Sequence, residues 1–474
     1  MTTDYGLGSW PWRRARIDPA GVALRQGDRS LSYAELAARV DRMAAGLVTR
    51  GVGHGDRVAY LGPNEIATFE TMFAAHRLGA IFTPFNTRLA DPEIAFLVQD
   101  AEPTVFVRST ADHAELLAAG ENRPVPSADV SLDDPAVILY TSGTTGRPKG
   151  VVLSHGNLTF NTMNQFAHAD VLSSDTALCL CPLFHASGLG QVSLPTLFKG
   201  GTVVMVPKFD PGAVLAMIER LRVASFPAVP TMLQMLCDHP DFAGTDLGSL
   251  RYVIYGGSMV SERVAVAWQR RGVAILQGYG MTEASPGVHL AIQDGAADRP
   301  VSVGLPQFFT DVTFDPATDD AKPGTSGELW VRGLNVSRGY WRRPAETEAA
   351  FTAGWYRSGD IVRVDDDGWA YVVDRVNDLI ISGSENISPS EVEAAINAQP
   401  GIVDSALIGV PDERWGEVGS AFVIATDPAW TADSLRAALA GVLADYKIPR
   451  YVRFVDDLPR TAVGKVRRQA LRDL

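Results

Sequence analysis

The stretch Tyr140-Thr-Ser-Gly-Thr-Thr-Gly-Arg-Pro-Lys-Gly150 is the part of this chain that packing explains least. An apolar run, Pro135 to Tyr140, leads into it, Val151 to Leu153 leads out, and a helical pattern follows from Asn157 to Phe166. A buried strand that ends in such a loop and gives way to a helix points to layered α/β architecture. Gly143 and Gly146 let the backbone turn tightly enough to present N–H groups to an anion. The hydroxyls of Thr141, Ser142, Thr144 and Thr145 can donate to phosphate oxygens, and Lys149 adds a positive charge. The spacing is Gly-x-x-Gly-x-x-Lys, which is not that of an ordinary P-loop. The residues describe a phosphate cradle of another kind of nucleotide enzyme.

A chain of 474 residues is too long for one core, so more than one domain is expected. Its formal charge of −13 comes with no basic block, which argues against nucleic acid or an anionic membrane as partner. Cys179 and Cys181 alternate within an apolar run and read as small hydrophobes on a strand rather than as metal ligands or disulfides. The N-terminus has neither a basic nor an apolar leader region, and no apolar run approaches the ~18 residues of a membrane span. A cytoplasmic address is expected.

Ser32 and Glu35 form a capping box ahead of a helix that ends near Gly51, and Asp210-Pro211 opens another that runs to about Val223. Short apolar strands alternate with such helices at Thr202 to Val206, Ala224 to Val229, Tyr252 to Tyr255 and Val273 to Leu276, which predicts mostly parallel sheets. From Ser326 the pattern changes to close-spaced strands, including Gly327 to Val331 and Trp369 to Val373. After Asn377 a strand, helix, strand, strand, helix order follows, with Ser388 to Glu391 capping its first helix. The expected fold is α/β: a large N-terminal domain of layered sheets and helices over residues 1–376, and a small, mobile α+β C-terminal domain over 377–474.

Ligands bind at the carboxyl ends of strands in α/β sheets, and the strand Val273 to Leu276 runs directly into Gln277-Gly-Tyr-Gly-Met-Thr-Glu283. Tyr279 between Gly278 and Gly280 can stack on a flat base. Thr282 can donate to a phosphate, and Glu283 is the carboxylate that a Mg²⁺ ion beside ATP would need. Gly256, Gly257 and Ser258 follow another strand and let the backbone approach a purine. Asp360, after a compact turn, can accept hydrogen bonds from both hydroxyls of a ribose. Read singly, several of these remain turns or solvated charges as readily as site residues.

Together with Asp374-Arg375-Val376-Asn377-Asp378, Ile380 to Ile387, Tyr446 to Arg450 and Leu458 to Lys465, these motifs resemble, from about residue 8 to the C-terminus, the AMP-forming adenylating superfamily. That superfamily holds acyl-CoA synthetases, adenylation domains of peptide synthetases and beetle luciferases. The resemblance implies that Thr141 to Lys149 hold the β- and γ-phosphates, that Tyr279 and the Gly256 loop hold adenine, and that Asp360 and Arg375 hold ribose. It assigns the α-phosphate and magnesium to Thr282 and Glu283, and makes Lys465 the bridge between substrate carboxylate and α-phosphate. It further implies that the C-terminal domain rotates about Asn377, where relatives usually carry Asp or Lys, and brings Gly383 in to form a thiol tunnel.

His185 matches the family's gate over the carboxylate pocket, although a core histidine is an alternative reading. The pocket is expected to run past Phe160, Asn161 and Asn164 to Gly278 and Ala284, which suits an aromatic or medium-length acid. The opening Gly6 to Arg16 and Phe308 to Val312 are similar to bacterial feruloyl/cinnamate-type CoA ligases. Trp415, Tyr446, Lys447 and Arg450 match positions that offer a ring and cations to coenzyme A, with Ile448 in place of a cation found in some relatives. No carrier domain follows Lys465, so the expected substrates are ATP with Mg²⁺, free CoA and a small-molecule carboxylic acid. The expected enzyme, an acid–CoA ligase, works without nucleic acid or membrane insertion, and a homodimer is an open assembly. Transfer of the adenylate to a carrier protein or amine, activation of an oxyanion such as nitrite, and a luciferase-like oxygenase stay open as alternatives.

Overall fold

The computed structural model describes residues 4–472 apart from 127, 142–147, 258–259, 297, 300, 318–321, 376–379, 383–384, 388, 413–414, 441, 444 and 461–464; at 374, 375, 381, 385, 386 and 416 it describes the backbone. Packing gathers the chain into two units, Met1–Val312 with Val331–Tyr356, and Thr313–Trp330 with Arg357–Leu474. The chain passes from one unit to the other inside three strands, Thr310–Thr313, Ser326–Gly333 and Trp355–Val364. Residues Thr313–Trp330 and the strand Ala370–Arg375 thus pack with the C-terminal part, ahead of the division expected at 376/377. Neighbours in sequence cannot reveal this, because which strand pairs with which is set by the tertiary fold.

Among the described residues, two sheets lie wholly within the first unit. Across the nine-stranded one the order is Leu305–Pro306, Gly287–Leu290, Ala274–Gly280, Tyr252–Tyr255, Ser225–Ala228, Thr176–Cys179, Thr202–Met205, Val22–Gln26 and Arg29–Ser32. Its central strands are parallel, while the pairs at its two edges are antiparallel. Burial on both faces explains the near-continuous apolar strands, such as the fully buried Tyr252–Tyr255. The helices between them bury large side chains against the sheet, with Phe226, Val253 and Trp268 fully enclosed. The five-stranded sheet runs Val105–Val107, Arg57–Tyr60, Ile81–Pro84, Pro135–Thr141, Lys149–Ser154, the last pair antiparallel.

Both capping signals are realised. Ser32 N–H donates to Glu35 Oε2 at 2.7 Å at the start of helix Tyr33–Thr49, and Ala213 N–H donates to Asp210 Oδ1 at 2.8 Å ahead of helix Pro211–Leu221. The helix after the cradle spans His155–His168, longer than Asn157 to Phe166, because Ser154 and Asn157 cap each other reciprocally. Cys179 ends its strand and Cys181 lies beyond it; both are free and buried, and burial pushes each thiol up to about 12.

The second unit is α+β. Its sheet runs Glu385–Ile387, Ile380–Ser382, Gly416–Ala425, Ile402–Asp412, with Tyr451–Phe454 parallel to Gly416–Ala425. Helices Pro389–Asn397 and Ala432–Leu439 close its core through Val392, Ile396, Leu435 and Leu439. The expected order lacks the strand Tyr451–Phe454, whose mostly exposed side chains give no apolar alternation and whose place is fixed by its partner strand. It also lacks the antiparallel pairing of Ile380–Ser382 with Glu385–Ile387.

Five histidines of the first unit are held neutral by burial. The imidazoles of His76 and His185 are pushed down to about 4 and that of His289 to about 3, with those of His155 and His168 also lowered. A folded pKa below the unfolded value of about 6.5 means that the unfolded chain binds more protons. This stability is present above pH ~6.5 and drains away as pH falls toward 4. Urea midpoints measured at pH 7.5, 6 and 5 are expected to fall in that order, and a flat profile would contradict the neutral burial of these rings.

Candidate active site

The cradle rests on the antiparallel pair Pro135–Thr141 and Lys149–Ser154, which places Thr141 directly opposite Lys149. Ser142, Gly143, Thr144, Thr145 and Gly146 lie outside the described residues. Tyr140 donates from its hydroxyl to Asp100 Oδ2 at 2.8 Å. Lys149 turns toward an element that sequence reasoning missed, the segment Ser337–Trp341. That segment lies along Lys149–Ser154: Val152 N–H donates to the Gly339 carbonyl, Trp341 N–H to the Gly150 carbonyl, and Val151 bridges Tyr340. The Lys149 ammonium stands 4.4 Å from the centre of the Tyr340 ring, within cation–π range.

Strand Ala274–Gly280 extends past its apolar stretch because Gly278, Tyr279 and Gly280 find antiparallel partners in Leu290, His289 and Gly287. The Tyr279 ring lies 5.9 Å from that of His289. A side chain at Gly280 would collide with the Pro286 carbonyl oxygen at 1.8 Å, and Gly257 has φ +95°, so neither position accepts another residue without strain. Gly256 faces the Gly278 carbonyl across the parallel pair. Ser258 lies outside the described residues.

Thr282 to Ala284 form a single 3-10 turn at this strand's carboxyl end. Thr282 is half-buried, while Glu283 is only 8% exposed, so its carboxylate needs a donor. The Tyr340 hydroxyl supplies one to Glu283 Oε1 at 2.8 Å, and Ser337 N–H donates to the Glu283 carbonyl at 2.6 Å. Burial, and then the Glu283 charge, raise the phenol pKa of Tyr340 and Tyr356, so both hydroxyls keep their protons. Among the described residues no three His, Cys, Asp or Glu side chains converge. A lone carboxylate fits Mg²⁺, which takes one or two carboxylates together with phosphates and water, and does not fit a zinc centre.

The wall expected for the acid is brought together, though with different duties. Asn161 Nδ2 donates to the Gly190 carbonyl and its Oδ1 accepts from Gly287 N–H; Asn164 Oδ1 accepts from Phe309 N–H and its Nδ2 donates to Thr310. Both amides are therefore engaged in building the wall. Phe160 packs edge-on against Phe309 at 5.2 Å. Asn335, also missed, completes this network: its Nδ2 donates to the carbonyls of Ala284 and Gly287, and its Oδ1 accepts from Thr310. An asparagine inside an apolar run, Leu334-Asn-Val336, is the signal that could have found it. His185 is largely buried beside Phe184, with its Nε2 unpaired, and burial pushes it down to about 4, so it is a neutral ring at pH 7.

The remaining candidates belong to the second unit. Asp360 is 4% exposed and stands opposite Arg375 in the antiparallel pair, and its N–H donates to Ser358 Oγ at 3.1 Å. Trp415 and Tyr446 are 42% and 43% exposed. Lys447 binds both carboxylate oxygens of Glu391 at 2.6 Å, and Arg450 lies 3.8 Å from Asp412. The cations expected to meet CoA are thus each paired with an acid. Lys465 is exposed, and Asn377 and Gly383 lie outside the described residues.

The family described as AMP-binding enzyme matches residues 11–341, and the AMP-binding enzyme C-terminal domain matches residues 391–465. A feruloyl-CoA synthase of Amycolatopsis sp is 48% identical over 98% of this chain and 98% of its own length. The indoleacetate–CoA ligase of Aromatoleum aromaticum is 38% identical over 99% and 98%. Among solved structures, the o-succinylbenzoate CoA synthetase of Bacillus subtilis in complex with its acyl-adenylate intermediate superposes with a TM-score of 0.89 at 31% identity, covering 98% of each chain.

Asn335 gives this geometry a measurable consequence. Asn335→Leu removes the donors to the Ala284 and Gly287 carbonyls inside a buried segment, at a cost of about 3 kcal/mol. The urea midpoint is expected to drop accordingly, and adenylation to fall further than stability explains, since Thr282 and Glu283 lie on the segment that Asn335 pins. An unchanged midpoint would show that the network carries no load.

Proposed function

We propose, on the premise that this chain belongs to the AMP-binding enzyme family, that the acid it activates is an aryl or arylacrylic acid bearing a polar substituent. The reaction class is the AMP-forming ligation of a carboxylic acid to CoA, using ATP and Mg²⁺. Transfer to a carrier protein or amine, nitrite activation and oxygenase chemistry are not favoured, because the relatives matched over nearly their full length are CoA ligases. No helix among the described residues is long and apolar enough to cross a membrane. A cytoplasmic address belongs to the proposal.

In this reading a carboxylate oxygen attacks the α-phosphorus of ATP, pyrophosphate leaves, and the CoA thiol then attacks the acyl carbon and releases AMP. The attack brings an anion toward a polyanion, so preorganised positive charge is the main need. Lys149 and the cradle would hold the β- and γ-phosphates, Thr282 the α-phosphate, Tyr279 and Gly256 the adenine, and Asp360 with Arg375 the ribose. Glu283 would hold Mg²⁺, which when bound neutralises charge on the phosphates. Lys465 would sit beside the α-phosphate in the first half-reaction and leave in the second, after rotation about Asn377. Trp415, Tyr446, Lys447 and Arg450 would receive CoA once its phosphates displace Glu391 and Asp412.

The observation that carries the aryl reading is the 48% identity to a feruloyl-CoA synthase over almost the whole chain. The acid wall supports it. Gln191, on the π-helical turn Gly188–Ser193, has a buried Oε1 without a partner, and its Nε2 stands 3.8 Å from where a Cβ of Gly256 would be. Gln307 Oε1 and both ring nitrogens of His289 are buried and unpaired as well. Unpaired polar groups cost about 1–3 kcal/mol each, a cost that a hydroxylated ring relieves and an alkyl chain does not.

Two measurements test this. With ferulate, cinnamate and octanoate as substrates, kcat/KM is expected to rank in that order, and Gln191→Leu to narrow the ferulate-to-cinnamate ratio; preference for octanoate would end the aryl reading. Lys465→Ala is expected to slow adenylation, followed by pyrophosphate exchange, by about 10² to 10³. The same variant should convert supplied acyl-adenylate and CoA to thioester at nearly the normal rate. Loss of both half-reactions together, in a folded protein, would refute the separate use of Lys465.

A further inference from the structure

We propose that Tyr340 is a positioning residue that holds the Glu283 carboxylate and the Lys149 ammonium in one fixed frame, the hydroxyl serving the first and the ring face the second. The inference rests on the reading that Glu283 holds Mg²⁺ and Lys149 holds phosphate. Tyr340 is 7% exposed, and its hydroxyl donates to Glu283 Oε1 at 2.8 Å while Lys149 Nζ stands 4.4 Å from its ring centre.

The tyrosine itself has little freedom. Its backbone bridges Val151, a near neighbour of Lys149, and its N–H donates to Thr347 Oγ1 at 3.0 Å. Its ring packs edge-on against Phe351 at 6.2 Å, and the Tyr356 hydroxyl lies beside both its own oxygen and Glu283. A buried carboxylate with one oxygen tied to a fixed phenol has its remaining lone pairs aimed in a set direction. A flexible lysine resting on a ring face loses less freedom when a phosphate arrives than one sampling open solvent. The structure therefore assigns to one side chain both the direction of the carboxylate and the readiness of the lysine.

The two duties separate by substitution. Tyr340→Phe keeps the ring and removes the hydroxyl, and Tyr340→Leu removes both. ATP binding is followed by calorimetry with Mg²⁺ and with EDTA, alongside the Mg²⁺ concentration for half-maximal pyrophosphate exchange. For Tyr340→Phe, ATP affinity in EDTA is expected to stay within about twofold of the parent, while the affinity gained on adding Mg²⁺ shrinks about 5- to 10-fold. For Tyr340→Leu, affinity in EDTA should also fall by about 2- to 5-fold, the size of an exposed cation–π contact. Glu283→Gln should remove the Mg²⁺ gain, and Tyr340→Phe added to it should cost no more, as coupled residues behave. Should Glu283→Gln lose the Mg²⁺ gain while Tyr340→Phe keeps it whole, the positioning role is wrong and the metal assignment stands. Should Glu283→Gln keep the Mg²⁺ gain, the metal assignment itself falls and the inference falls with it.

Discussion

A carboxylate that is almost wholly buried has to be hydrogen-bonded, and at Glu283 that requirement organises its surroundings. The donor is Tyr340, so Ser337–Trp341 must lie close enough to reach it. That segment in turn forms hydrogen bonds along the strand that begins with Lys149. The carboxylate, the tyrosine and the lysine are thereby fixed before any nucleotide arrives. Electrostatic catalysis needs charges that do not have to be moved into place at the moment of reaction, and in the proposed function this arrangement would supply them.

The same economy governs the backbone next to Glu283. Gly280 cannot carry a side chain because the Pro286 carbonyl fills the space, and Asn335 bonds the carbonyls on either side of the turn at Ser285 and Pro286. Asn161, Asn164 and Thr310 extend that network to the helix His155–His168, where the acid wall is expected. Amides engaged in this way make the wall rigid, so in the proposed function the groups left unpaired beside it, such as Gln191 Oε1, would be the ones that discriminate between substrates.

The second unit treats charge differently. The cations Lys447 and Arg450 already face carboxylates, Glu391 at 2.6 Å and Asp412 at 3.8 Å. Ion pairs that are partly exposed are worth little and exchange readily for a more highly charged partner.

The motifs, their order along the chain and the family they resemble were legible from the residues alone. A loop rich in glycine and hydroxyl groups after an apolar strand, or a carboxylate after Gly-Tyr-Gly, carries its chemistry in local spacing, and so do the caps at Ser32 and Asp210. The α/β layering was legible for the same reason, since alternation of apolar strands and capped helices is a local signal. What the sequence by itself could not determine was anything that depends on which distant segments pair. The strand Ala274–Gly280 runs on through three site residues because a later strand pairs with them. The strand Ala370–Arg375 joins the second unit because of its own partners. Tyr340 and Asn335 become site residues only when the fold lays them against Glu283 and its neighbours, 57 and 51 residues away for the Glu283 and Ala284 contacts. Local spacing records what a residue can do, and tertiary pairing, which no local spacing encodes, decides what it does it to.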